Sequence, residues 1–242
     1  MRLDKFLCDA GIGSRKDIKK IIKSGTVFVQ GFSSIRPETH IDPENDKVFL
    51  NGSPVAYKKF IYLMMNKPKG YISATFDKRL PTVLDLVPEE YLHYDLFPAG
   101  RLDIDTEGLL LLTNDGQLAH NILSPKKHIP KTYFAEVSGK VTDEDIEKFS
   151  EGVIIDGDIK TKPAVLEILS AGEVSEINLT ITEGKFHQVK RMFEAVGKEV
   201  IYLKRIKMNA LSLDESLPLG ELRELTDDEV KLIKEGISYE EI

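Results

Sequence analysis

At 242 residues the chain is long enough for one large or two modest domains, each able to bury a core. With 41% hydrophobic and 30% charged residues it reads as a globular protein. No run of about 18 apolar residues marks a membrane span, the N-terminus has no signal-peptide pattern, and the lone cysteine, Cys8, excludes an intramolecular disulfide and a cysteine-rich zinc site. A reducing, cytoplasmic location is expected. The net charge of −7 hides a strong segregation: residues 1–31 carry seven Lys/Arg against three Asp, residues 185–207 seven against two Glu, and the last 29 residues ten acids against three bases. A polyanionic partner is met by local patches, so the overall charge does not exclude one.

In chain order, Leu3, Phe6, Leu7 and Ala10 fall at helical spacing. "GIGSRKDIKKIIKSG" follows as a turn, a Ser14 N-cap, a helix and a stop at Gly25. That helix sets Ile18, Ile21 and Ile22 on one face and Lys16, Lys19, Lys20 and Lys23 on another, with the two stripes about 155° apart. Only Asp17 is acidic there, so a phosphate-binding face is favoured over plain solvation. "TVFVQG" and "DKVFLNG" are short strands ended by turn residues. Residues 54–59 link to a second domain that opens with the strand "FIYLMM" and the turn "NKPKGY". Further on, "EINLTIT" alternates as a strand. "FHQVKRMFEAVG" is a helix with Val189, Met192, Phe193 and Val196 inward and Gly197 as its stop. Thr226 and Glu229 form a capping box for a last helix. The class is α+β.

Chemistry is best sought in "RLDIDTEG". No phosphate loop, G-x-G-x-x-G, H-E-x-x-H or G-x-S-x-G occurs, and five scattered histidines give no metal spacing. The alternation of Arg101, Asp103 and Asp105 with Leu102 and Ile104 predicts an extended segment with both acids on one face. Paired acids suit a metal or acid–base work on a glycosidic bond; a polar strand edge is the plain alternative. On the 187–196 helix, Arg191 projects toward solvent and Lys190 toward the boundary of the buried face. From there a lysine can hold a desolvated aspartate ionised or simply lie along apolar surface.

"GRLDIDTEGLLLLTNDG", "KTYFAEVSG", "TKPAVLEIL" and "EGKFHQVKRMFEAVG" resemble the motifs of bacterial pseudouridine synthases. The branch most resembled is the RsuA type, which acts on small-subunit ribosomal RNA. Residues 1–31 resemble the RNA-binding module of ribosomal small-subunit protein S-four. The resemblance implies two domains. Residues 1–57 would be a small α/β RNA-binding module, and residues 60–242 a catalytic domain on a mixed, largely antiparallel sheet flanked by helices.

By the same resemblance Asp103 is the catalytic aspartate, Tyr133 the active-site tyrosine and Lys190 the basic partner of the aspartate. Many relatives carry arginine at that last position, and lysine gives a point charge in place of a fork. Asp105 and Thr106 would only shape the turn, and Leu109–Leu112 would floor the cleft. The implied reaction isomerises one 16S rRNA uridine, of the uridine 516 type, without cofactor or metal. The implied partner is 16S rRNA or a pre-30S particle, bound by a monomer with no membrane contact. Arg2, Lys5, Arg15 and the lysine stripe would hold RNA phosphates. Lys67 and Lys69 would extend that track, and Arg101 would hold the loop or touch a phosphate. Lys126, Lys127 and Lys131 are weaker candidates that solvation also explains. Three alternatives remain open: a non-catalytic RNA-binding assembly factor, a metal-dependent phosphodiesterase using Asp103, Asp105 and Asp115, and the same chemistry on 23S rRNA.

Overall fold

The computed structural model describes residues 1–235 and divides into two compact units. The first comprises Met1–Ile61 with Pro88–Asp95, the second Tyr62–Val87 with the chain from Leu96 on. In the first unit, α1 (Leu3–Asp9) and α2 (Arg15–Lys23) precede a three-stranded antiparallel sheet of β1 (Val27–Val29), β2 (Val48–Leu50) and β3 (Ser53–Pro54). Ser14 caps α2, its side chain accepting from the Asp17 amide. Gly25 takes a left-handed φ of +76, which ends the helix without a Cβ penalty. Leu3, Phe6, Leu7, Ile18, Ile22, Val27, Val29 and Val48 form one core. Residues 88–95 join this unit, an excursion that no local pattern announces.

On α2 the four lysines are all exposed. Lys20 lies 3.8 Å from Asp17; among the described residues Lys16, Lys19 and Lys23 have no acidic partner. Arg15 is exposed as well. Arg2, in contrast, is held bidentate by Asp4 at 2.9 and 2.7 Å, and Lys5 pairs with Asp9 at 2.9 Å.

The second unit holds β4 (Tyr62–Lys67), β5 (Phe97–Pro98), β6 (Glu107–Thr113), α3 (Gly116–Leu123), β7 (Lys131–Ser138), α4 (Asp143–Glu151), β8 (Ile154–Ile155) and β9 (Ile159–Lys160). It continues through β10 (Val165–Ser170), β11 (Val174–Ile181), α5 (Gln188–Glu194), β12 (Glu199–Met208), β13 (Leu211–Ser212), β14 (Leu222–Glu224) and α6 (Asp227–Lys234). Nine strands make one sheet, in the order β10-β11-β7-β12-β6-β4-β14, with β13 on β12 and β5 on β6. Every pairing is antiparallel except β12 with β6. The mixed, largely antiparallel sheet and its flanking helices fit the α+β class read from the sequence.

The parallel join depends on Gly108. It lies opposite Arg205, with φ +100, and a Cβ there would sit 2.3 Å from the Arg205 carbonyl oxygen. Beyond it β6 is buried along its whole length. Leu109 and Leu111 pack with Met64, Leu118, Ile122 and Met208 in the main core. The leucines 109–112 are thus buried in a central strand and do not floor the cleft as expected, since none of them lines the cavity described below.

Candidate active site

The "RLDIDTEG" segment is not extended. Residues 101–103 run irregularly and a turn follows, with the Thr106 amide donating to the Asp103 carbonyl at 3.1 Å; strand geometry starts only at Glu107. The shared strand face expected for Asp103 and Asp105 therefore does not exist. The loop is pinned from below. Ser73 Oγ exchanges hydrogen bonds with the Leu102 amide and carbonyl, both 3.0 Å, and the Gly70 amide donates to the Ile104 carbonyl at 2.8 Å.

The strongest pin is Lys67. Its strand lies two residues later than "FIYLMM" suggested, so Lys67 ends β4 inside the sheet and is fully buried. Its ammonium donates to the carbonyls of Thr106 (2.9 Å), Asp103 (3.1 Å) and Pro68 (3.1 Å). Burial pushes its pKa down to about 8, against the upward pull of Asp105, Asp103 and Glu107. Lys67 is therefore no RNA contact, since its buried ammonium is already taken up by three carbonyl oxygens. Lys69 remains exposed, its ammonium 4.8 Å from the centre of the Tyr202 ring.

Above the loop, a cavity of ≈ 240 Å³ is lined by Arg101, Asp103, Tyr133 and His187 together with Leu102, Ile181, Val189 and Leu203. The sheet explains the grouping. Tyr133 on β7 lies opposite Leu179 of β11 and Arg205 of β12, and period-two alternation puts Lys131 on its face. Tyr133 is 8% exposed. The apolar floor comes from side chains of four separate segments, not from one leucine run. Arg101 stays exposed at the rim.

Lys190 does not pair with the expected acid, and neither it nor its partner lines the cavity. Its ammonium lies 2.6 Å from both carboxylate oxygens of Asp105. Burial raises the Asp105 pKa, but the hydrogen bond and charge of Lys190 outweigh it, leaving the carboxyl below its ordinary range. The turn after Asp103 delivers Asp105 to Lys190, and so gives Asp105 a role beyond shaping the turn. Arg191, expected in solvent, pairs with Asp156 at 2.8 Å, its side chain 19% exposed. Asp115 is committed elsewhere: it caps α3 and accepts from the Tyr62 hydroxyl at 2.7 Å.

The group beside Asp103 is His187, its Nε2 3.6 Å from Oδ1. His187 has φ +48 and precedes α5. Phe186 stacks on its ring at 3.7 Å and 19°, and is 69% exposed. Neither was foreseen; the only trace in the sequence is an aromatic pair directly before "QVK". Among the described residues no cluster of three or more His, Cys, Asp or Glu could hold a metal ion. Nor, among them, is any helix long and apolar enough to cross a membrane.

The cavity shared by the Asp103 loop and the buried Tyr133 belongs to a chain whose enzyme class is identified by comparison with known proteins. The family model described as RNA pseudouridylate synthase covers residues 61–195, and the S4 domain model covers residues 1–32. The chain belongs to the RNA pseudouridylate synthase family.

The chain is 53% identical to an uncharacterized RNA pseudouridine synthase, YtzG, of Bacillus subtilis, over 97% of this chain and 99% of that one. It is 41% identical to ribosomal small subunit pseudouridine synthase A of Escherichia coli, over 95% and 98%. Among solved structures, one described as a crystal structure of pseudouridylate synthase superposes with a TM-score of 0.67 at 38% identity, covering 96% of this chain and 99% of that one. The protein is thus an RNA pseudouridine synthase, an isomerase.

Proposed function

We propose that this enzyme converts one uridine of 16S ribosomal RNA, of the uridine 516 type, to pseudouridine in the cytoplasm as a monomer, on naked RNA or a pre-30S particle. Residues 1–57 serve as the RNA-binding domain and residues 60–242 as the catalytic domain. The observation that carries the reading is that Asp103 and the buried Tyr133 line one cavity, among both polar and apolar side chains. The relative from Escherichia coli, named for the ribosomal small subunit, supports the choice of RNA.

The reaction is an isomerisation and balances without a co-reactant. The bond from the anomeric carbon to the uracil ring nitrogen breaks and the base turns. A bond then forms from the anomeric carbon to a ring carbon, which gives up its proton to solvent while the freed ring nitrogen takes one up. Asp103 serves as nucleophile at the anomeric carbon or as base at the neighbouring sugar carbon; both routes use one ionised carboxylate. Tyr133 stacks on the base, and Leu102, Ile181, Val189 and Leu203 keep out water that would turn the isomerisation into hydrolysis. The uridine leaves its stack to reach this depth. Lys190 supplies the positive charge at the loop bearing Asp103, which it grips through Asp105. No cofactor or metal takes part. Arg15, Lys16, Lys19, Lys20 and Lys23 hold phosphates and set affinity without sequence choice. Arg2 and Lys5, already paired with acids, add less; Lys69 and Arg101 contact RNA nearer the catalytic cavity.

The test is to incubate the protein with undermodified 16S rRNA or pre-30S particles and map pseudouridine by carbodiimide-arrested primer extension. One new stop is expected, absent with Asp103→Asn while RNA binding is retained. No stop on 16S rRNA, or a stop that survives the substitution, overturns the reading.

A further inference from the structure

Next to the cavity bearing Asp103 lies a second one, of ≈ 310 Å³, that shares Arg101, Tyr133 and Gly184 with it. Its walls are unusual in charge. Arg205 is 1% exposed, and its Nε donates to the Leu109 carbonyl at 2.8 Å. Its Nη2 is buried without a hydrogen-bond partner. A guanidinium cannot shed its proton to escape burial, and a buried donor left unpaired is costly.

Lys131 lines the same cavity. A weaker RNA-contact candidate in the sequence, which solvation also explained, it is half-buried because β7 sets it on the face of Tyr133. Its ammonium donates to the Ile129 carbonyl at 3.1 Å. Burial, then the charge of Arg205, depress its pKa to about 8. The acid in the lining, Glu183, is already engaged: it accepts from the Lys162 amide at 3.0 Å and from Gln188 at 2.7 Å, and it pairs with Lys185. Three cations thus face one satisfied carboxylate, and a buried donor waits for an acceptor.

We propose that this second cavity is a phosphate site that takes the phosphodiester flanking the target uridine while the base lies against Tyr133. A phosphate oxygen meets both needs, a charge-assisted bond to the guanidinium and a counter-charge for Lys131. An anion there favours the protonated lysine and reverses the effect of burial. The assignment to RNA rests on the function proposed above; the anion chemistry does not. The site fixes the nucleotide by its backbone and leaves base selection to the Asp103 cavity.

The experiment uses the full chain, ¹⁵N-labelled, with the Arg205 Nε resonance assigned by its loss in Arg205→Lys. Uridine, uridine 3′-monophosphate, uridine 5′-monophosphate and inorganic phosphate are titrated separately. At least one nucleotide is expected to shift the Arg205 signal, and uridine is not. Lys131→Gln, checked for an unchanged fold by circular dichroism, is expected to weaken that nucleotide about tenfold. Lys140→Gln, on the exposed surface, leaves it unchanged. A signal unmoved by every phosphate-bearing probe overturns the site, and unaltered affinity in Lys131→Gln overturns the role of Lys131. A response to inorganic phosphate alone makes it a free-anion site and overturns its link to RNA. A clear nucleotide response in a protein that leaves 16S rRNA unmodified defeats the proposed target, not the cavity.

Discussion

Lys190 grips Asp105 at 2.6 Å, while Asp103, two residues earlier, faces His187 at 3.6 Å. The two acids of "RLDID" are thereby given different work. Asp105 is an anchor on a side chain 60% exposed, so Asp105→Asn costs below about 1 kcal/mol of stability. It should slow single-turnover modification by no more than about tenfold, against complete loss for Asp103→Asn. Because the Asp105 pKa is lowered in the folded state, the small stabilisation is present above the ordinary aspartate pKa. It is lost as pH falls through the lowered folded value. Urea midpoints of the two proteins converge in acid if the pair acts this way.

The buried ammonium of Lys67 gives a second prediction. Lys67→Met leaves three carbonyls without their donor and should cost about 2 kcal/mol at neutral pH. The folded pKa of about 8 lies below the ordinary 10.5. Between those values the unfolded chain binds the proton that the folded chain has released, so Lys67 contributes more stability as pH rises. Below pH 8 the full cost of the buried charge applies. The gap between the wild type and Lys67→Met should widen by up to about 3 kcal/mol from pH 8 to 10.5, read from urea unfolding at several pH values. A constant gap refutes the assignment.

Gly108→Ala places a methyl group against the Arg205 backbone at a positive φ. Because the obstruction is backbone, it cannot be relieved by a rotamer change, and the substitution should cost about 3 kcal/mol or more. Thermal unfolding measures this. A variant as stable as the wild type would show that β6 and β12 do not approach as described.

Phe186 is mostly exposed, so Phe186→Ala should change stability by less than about 0.5 kcal/mol. If its ring, backed by His187, carries a base neighbouring the target, kcat/KM on 16S rRNA falls between about tenfold and a hundredfold. Phe186→Tyr should keep most of the rate. Equal rates for Phe186→Ala and the wild type exclude the stacking role.

On α2, Lys16, Lys19 and Lys23 have no acidic partner among the described residues. Replacing all three with Gln should lower the slope of log affinity against log salt by about three, one per phosphate contact. Filter binding over a salt series reads the slope. An unchanged slope removes this face from the RNA interface.

The sequence announced whatever is decided locally. The caps at Ser14 and Thr226, the Gly25 stop and the alternation of β11 all depend on neighbours a few residues away, and all are present. The alternation in "RLDID" misled because a hydrogen-bonded turn, held by Lys67 of β4 and by Ser73 in the segment beyond it, overrides a two-residue period. Lys67 misled for a related reason: only the sheet order shows that a lysine at the end of an apolar run is covered on every side. Arg205 and Tyr133 are neighbours solely through the pairing of β12 with β7, and no local signal carries that register. Of the three residues picked out by family motifs, Asp103 and Tyr133 line one cavity, while Lys190 holds Asp105 through a turn that no local pattern announces.

The place of β4 between β6 and β14 bears on how the molecule is made. Met65 finds its second neighbour at Leu222, so a chain emerging from the ribosome carries one bare edge of β4 through most of its synthesis. Long-range closure of this kind is slow, and an uncovered edge invites pairing with other chains. A truncation ahead of residue 222 should therefore aggregate even though every group lining the Asp103 cavity has already been translated.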